Sequence, residues 1–152
     1  MSNAHRGNPP SVNATRRGAT MVEFAFVLPI FLLIVLGIIE FGQAMMVSQL
    51  ITHAARESAR ASTLEGATNA SINELALELL ESSGNIDPEH VTVTISLTPA
   101  PGNSDPNDEV ANASSGDLCQ IEIQVPFSEV AYIPGNYLGG KLLRAACTMR
   151  RE

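Results

Sequence analysis

The hydrophobic positions change their period along the chain, and each change marks an element. Phe24 to Ile39, FAFVLPIFLLIVLGII, contains no charge; Glu23 and Glu40 bound it, and the uncharged stretch Phe41 to Thr52 follows. A helix apolar on every side belongs in lipid or in the core of a large protein, and a chain of 152 residues is small for the second. Crossing a bilayer takes about 20 mostly apolar residues. Phe24 to Val47 meets that length if Glu40 is tolerated within it. From Gln43 to Ser62 the pattern turns amphipathic. Val47, Leu50, Ile51, Ala54, Ser58 and Ala61 or Ser62 recur at helical steps, while Arg56, Glu57 and Arg60 fall largely off that face. The pattern predicts one long helix, half in the membrane and half in a soluble domain, with Gly66 as its stop.

A second helix is predicted from Ala70 to Glu81, with Ile72, Leu75, Leu79 and Leu80 on its apolar face and Ser83-Gly84-Asn85 ending it. Beyond it the period falls to two. Val91 to Leu97 alternates as a strand. Thr98 to Gly116 is rich in Pro, Gly, Asn, Ser and acids and reads as a loop or hairpin tip. Leu118 to Val125 alternates again, with Cys119, Ile121, Ile123 and Val125 sharing one parity, and Pro126 ends it. Tyr132 to Gly140 carries Pro134-Gly135-Asn136 and Gly139-Gly140 and reads as a loop. Leu142 to Arg150 is the closing strand. The fold class is therefore α+β: a long N-terminal helix packed on a small antiparallel sheet.

Charge sharpens the picture of the two ends. Only Arg6, Arg16 and Arg17 are charged before Glu23, whereas after Val47 six basic residues face fourteen acidic ones. A basic flank stays cytoplasmic, so the N-terminus is expected inside and the acidic bulk outside. A formal charge of −7 argues against nucleic acid as a partner. The charged share is 16%, against roughly 25% in an average soluble domain, as expected of a small domain with a membrane segment.

Three readings of the N-terminus compete. A cleaved secretory signal would use Gly42-Gln43-Ala44 as its small-x-small site, but its apolar region is long and Glu40 stands just before the site. An uncleaved signal anchor is the second. The Arg16-Arg17 pair invites a twin-arginine signal, yet Gly-Ala-Thr-Met follows it instead of a hydrophobic stretch. The third reading rests on the order of several elements. Arg17, Gly18, then Ala19-Thr20-Met21-Val22, then Glu23 and Phe24 precede the apolar helix. Pro29 follows early in that helix, Phe41-Gly42 near the middle, and Ala54-Ala55-Arg56-Glu57-Ser58-Ala59-Arg60 later. The C-terminal Ala146 to Glu152 adds Ala-x-x-Met-Arg-x-Glu. In this order and spacing the chain resembles the TadE-like family of tight-adherence pilus proteins, which are similar to type IV pilins and pseudopilins. The resemblance is strong over residues 16–62 and weak through the middle.

The resemblance implies a set of roles. A prepilin peptidase would cut after Gly18 on the cytoplasmic side, leaving Ala19 as the new N-terminus and Glu23 as the fifth residue of the mature chain. The alternative for Gly18 is a plain turn before the helix. Glu23, with Phe24 beside it, would serve assembly by meeting the free amine of a neighbouring subunit. Its alternative is an interfacial acid stabilised by the helix N-terminus. Pro29 would bend the helix. Other pilin or pseudopilin subunits and a pilus assembly platform are the implied partners, in the inner membrane. The expected organisation is a basic leader over residues 1–18, a membrane and assembly helix over 19–47, and an extracytoplasmic pilin-like domain over 48–152. A membrane-anchored binding module outside any filament is the second function class, and an exported enzyme the third.

Glu40 reads either as an acid reaching the outer interface or as one that pairs with another subunit. Cys119 and Cys147 fall in strands two and three, where an oxidising compartment permits a disulfide; two buried reduced thiols are the alternative. Asp105-Pro106-Asn107-Asp108-Glu109 groups oxygen donors of the kind calcium takes, but lacks EF-hand spacing and reads first as a solvated loop. His5, His53 and His90 are scattered, so neither a metal nor a cofactor is expected. Asn13, Asn69 and Asn112 open short glycosylation patterns. No motif for hydrolysis or nucleotide binding occurs.

Overall fold

The computed structural model describes residues 12–131 and 138–152, with side chains from Gly18 onward. The side chains of Arg6, Arg16 and Arg17, and Pro134-Gly135-Asn136 of the expected loop, lie outside the described residues. Helix α1 spans Val12–Ala61 and α2 spans Asn69–Gly84; strands β1 (Thr92–Thr98), β2 (Leu118–Pro126) and β3 (Leu142–Arg150) follow. Short 3₁₀ turns lie at Pro88–His90, Val110–Asn112 and Phe127–Glu129. The chain forms two compact units, one up to Ile39 and one from Glu40 to Glu152.

The described residues of the first unit are helix. The helix runs through Gly18, so that glycine sits within a helical turn and not in a loop before the helix. It also continues through Pro29, which removes one backbone hydrogen bond without ending the element. Apart from Glu23, the large side chains exposed from Met21 to Ile39 are apolar, among them Phe24, Phe26, Ile30 and Phe31. A single helix in the described residues is long and apolar enough to cross a membrane, and it lies near the N-terminus.

The second unit holds the core. The C-terminal part of α1 contributes Val47, Ile51, Ala54, Ala55 and Ala59; α2 contributes Ile72, Ala76 and Leu80; β2 contributes Cys119, Ile121, Ile123 and Val125. The sheet is antiparallel in the order β1-β2-β3. Its central strand alternates buried and outward positions as the period of two requires, and β1 and β3 place Val93, Ile95, Leu97 and Leu143, Ala145, Cys147, Met149 on the same core side. The outer face is polar: Arg144 Nε lies 3.4 Å from Glu122 Oε1, and Gln124 Nε2 donates to the same oxygen at 3.0 Å.

Each end of α2 follows from its sequence. Thr68 Oγ1 accepts from the Ser71 N–H at 3.2 Å, and Ser71 Oγ accepts from the Thr68 N–H at 3.1 Å, a reciprocal cap. Asn85 ends the helix at φ 49°, a left-handed conformation that asparagine tolerates, and its N–H donates to the Glu81 carbonyl at 2.9 Å. Just before it, Gly84 lets α2 close on α1. A Cβ there would sit 2.8 Å from Leu50 Cδ1 and 3.2 Å from Ile86 side-chain atoms.

Contacts of the second unit begin ahead of residue 48. Glu40, Gln43, Ala44 and Val47 are all buried in it. The part of α1 read from hydropathy as membrane helix up to Val47 thus includes two turns whose inner face belongs to the head.

Candidate functional site

Gly18 and Ala19 lie exposed on α1, and Glu23 and Phe24 lie exposed about one turn further along it. Helical backbone has its amides engaged in i to i−4 bonds, so a protease working at Gly18–Ala19 has to unwind this turn. A Cβ at Gly18 would meet nothing within 4 Å. The glycine is therefore not demanded by packing inside the chain. Glu23 stands among the exposed apolar residues Met21, Val22, Phe24 and Phe26. A carboxylate in such surroundings becomes costly once lipid replaces water.

Glu40 has a partner inside the chain that neither sequence expectation names. It is 5% exposed, and its Oε1 accepts from the backbone N–H of Leu138 at 2.8 Å. One turn further along α1, the Gln43 side-chain amide donates to the Val130 carbonyl. The two side chains hold both ends of the 130–138 segment of the β2–β3 connection against the helix. Sequence reading missed this because the partners are backbone groups far along the chain. The available signal was the spacing: Glu40 and Gln43 fall on the same face as Val47 and Ile51.

Asp117, unremarked in the sequence, organises the long β1–β2 connection. It is fully buried. Oδ1 accepts from the Ala100 N–H at 2.8 Å and from Asn103 Nδ2 at 2.7 Å, and Oδ2 accepts from the Ser114 N–H at 2.7 Å. Its carbonyl accepts from the Arg151 N–H at 2.8 Å, which ties the loop to the end of β3. The Ala100 amide, then Asn103 and Ser114, hold the carboxyl below the usual aspartate range; the Arg151 charge adds to this and burial opposes it.

The acidic stretch is built into the same connection. Asp105 Oδ1 accepts from the Asn107 N–H at 2.9 Å, and Asp108 Oδ1 accepts from the Leu97 N–H at 2.7 Å. Asn69 closes the loop onto α2: its Nδ2 donates to the Asp108 carbonyl at 2.8 Å and its Oδ1 accepts from the Val110 N–H at 2.9 Å. These carboxylates serve as loop acceptors, and the calcium reading gains nothing from their arrangement. Among the described residues, no three His, Cys, Asp or Glu side chains group as metal ligands would.

The cysteines share the core face but not a facing pair. Cys119 lies opposite Met149, and Cys147 lies opposite Ile121. Diagonal neighbours of this kind stand about 7–8 Å apart, whereas a disulfide brings Cβ atoms to about 3.8 Å. Both thiols are free, and the disulfide considered from sequence would need the two strands to shift against each other. Burial pushes the Cys119 thiol up, against smaller opposing effects of a Ser62 hydrogen bond and the Arg151 charge.

The candidate residues Gly18, Ala19, Glu23 and Phe24 thus all lie along the N-terminal helix. Comparison with known proteins bears on the same segment. No curated protein and no solved structure matches the chain. The family model of the TadE-like proteins matches residues 18–60, which covers α1 from Gly18 to Arg60 and includes Glu23, Glu40 and Gln43. Over that helix, the chain is similar to the TadE-like proteins.

Proposed function

We propose that this protein is a minor pilin or pseudopilin, a structural subunit of a tight-adherence pilus or related secretion apparatus. The observation that carries the reading is Gly18 and Glu23, in order, ahead of an exposed apolar helix within the TadE-like segment. The mechanism is assembly. A prepilin peptidase hydrolyses the Gly18–Ala19 bond, giving a carboxylate on Gly18 and a free amine on Ala19. The basic residues leave with the leader. The head lies outside the cytoplasmic membrane, the orientation that the basic N-terminal flank favours.

Glu23 then has a physical reason to drive association. A charge in lipid costs up to about 3 kcal/mol at a helix centre, and less near an interface. The α-ammonium of a neighbouring Ala19 neutralises it, so subunits that pack side by side lower each other's cost. The apolar side chains around it supply the packing surface.

The experiment is Glu23→Ala in the organism's own apparatus, with Glu23→Gln beside it. The proposal expects loss of pilus formation while the protein still accumulates in the membrane. Unchanged pili in both variants would favour a membrane-anchored binding module that never enters a filament.

A further inference from the structure

The apolar run between Glu23 and Glu40 is too short for the task assigned to it. Phe24 to Ile39 is sixteen residues, and a spanning helix needs about 20. On its C-terminal side the next uncharged residues, Phe41 to Thr52, already belong to the head.

The second unit supplies further apolar length on one face. Phe41 is 62% exposed, Met45 50% and Met46 48%. Phe41 and Met45 are one turn apart, and Met46 adjoins Met45 on the outer side of α1. On the inner side of the same turns, Glu40 and Gln43 are buried and bonded to the Leu138 amide and the Val130 carbonyl. The polar side chains of this stretch are therefore turned into the protein, and the outward surface is Phe, Gly and Met. The character of the outer face changes at Gln49. From there on its exposed residues are Gln49, His53, Arg56 and Arg60.

We infer that the Phe41–Met45–Met46 face of the head is immersed in the acyl region of the bilayer, so that the head seats into the membrane by about two helical turns. The inference rests on the membrane-anchor reading and refines it. The apolar length of α1 is completed on its outer side by head residues, and the waterline on that side falls at Gln49. Lipid is the occupant because the exposed side chains of this face are Phe and Met, the face follows the uncharged run in sequence, and it gives way at Gln49 to polar and charged residues. The Glu40 and Gln43 hydrogen bonds are what make this depth tolerable, since an acid facing lipid without a partner is expensive.

The chain contains no tryptophan, so a single introduced indole reports alone. The full chain is reconstituted in phosphatidylethanolamine–phosphatidylglycerol vesicles containing phosphatidylcholine brominated on its acyl chains. The variants are Phe31→Trp, Phe41→Trp, Met45→Trp and His53→Trp. All four positions are exposed, so folding is not at risk. The expected result is loss of emission to bromolipid for Phe41→Trp and Met45→Trp, comparable to Phe31→Trp. His53→Trp should respond to aqueous iodide and not to bromolipid. Iodide quenching of Phe41→Trp and Met45→Trp, with Phe31→Trp still quenched by lipid, overturns the inference and leaves the anchor standing. Protection of these two positions from both quenchers also overturns it, because protein, such as a second copy, then covers the face. If Phe31→Trp escapes bromolipid, the anchor reading falls and takes the inference with it.

Discussion

The backbone N–H of Leu138 donates to Glu40 Oε1 at 2.8 Å. This bond joins an acid inside the apolar stretch to the connection between β2 and β3. It explains how a carboxylate persists there: its partner travels with it in the same unit. Glu40→Ala leaves the Leu138 amide without its acceptor, a loss worth about 1–3 kcal/mol. Hydrogen exchange at Leu138 is the direct readout. The amide should lose protection in Glu40→Ala and keep much of it in Glu40→Gln, which retains an acceptor oxygen. Unchanged protection in Glu40→Ala would count against the bond.

Asp117 makes the head sensitive to acid. Its folded carboxyl titrates below the usual aspartate range, chiefly because the Ala100 N–H, Asn103 and Ser114 bond the ionised form. A depressed folded pKa contributes stability that is fully present above the unfolded value, about 4. That stability is lost as pH falls through the folded value. Thermal unfolding of the full chain in detergent should show a stability decline below about pH 4 that is shallower in Asp117→Asn. The variant should also be less stable at neutral pH, because an amide puts a donor where two backbone N–H groups and Asn103 already point. An equal acid decline in both proteins would remove Asp117 from the account.

Ser58 offers a substitution with the opposite sign. It is fully buried on α1 beside Ala54, Ala55 and Ala59, and its Oγ has no hydrogen-bond partner among the described residues. Burying an unpaired hydroxyl costs about 1–3 kcal/mol. Ser58→Ala keeps the small volume this face needs and removes the unpaired oxygen. The variant should match or exceed the parent in denaturant midpoint, by up to about 1 kcal/mol. A clear destabilisation would mean that the hydroxyl has a role the core packing does not reveal.

The strands and α2 were legible because their side chains repeat. Alternation in VTVTISL and LCQIEIQV fixed both strand type and the inward face, and β3 spans Leu142–Arg150 as the sequence predicts. The helix stop at Ser83-Gly84-Asn85 was legible from turn chemistry. What escaped was whatever depends on a distant backbone group. Nothing near Glu40, Asp117 or Asn69 in the sequence announces the Leu138, Ala100 or Val110 amides they bind. The cysteines show the same limit. Parity placed both on one face, but only the register of β2 with β3 sets them diagonally. In the candidate site, Gly18, Glu23 and Phe24 were legible through the resemblance to the TadE-like family, while the helical turn around Gly18 was not.

The two thiols should differ in reactivity. Cys119 is buried with its thiol pushed up by desolvation, and Cys147 is half-buried on the edge strand. Alkylation of the native full chain at neutral pH should modify Cys147 first, with Cys119 following only after unfolding. A mass spectrum of the protein extracted without reductant should show both as free thiols. A Cys119–Cys147 cross-link would require β3 to shift against β2.

The account turns on what happens at Gly18. Intact mass and N-terminal sequencing of the protein extracted from native membranes test it most directly. Processing as a pilin-like subunit predicts a chain beginning at Ala19, with Glu23 as its fifth residue. A chain beginning near Met45, or one that retains the residues before Gly18, would contradict it.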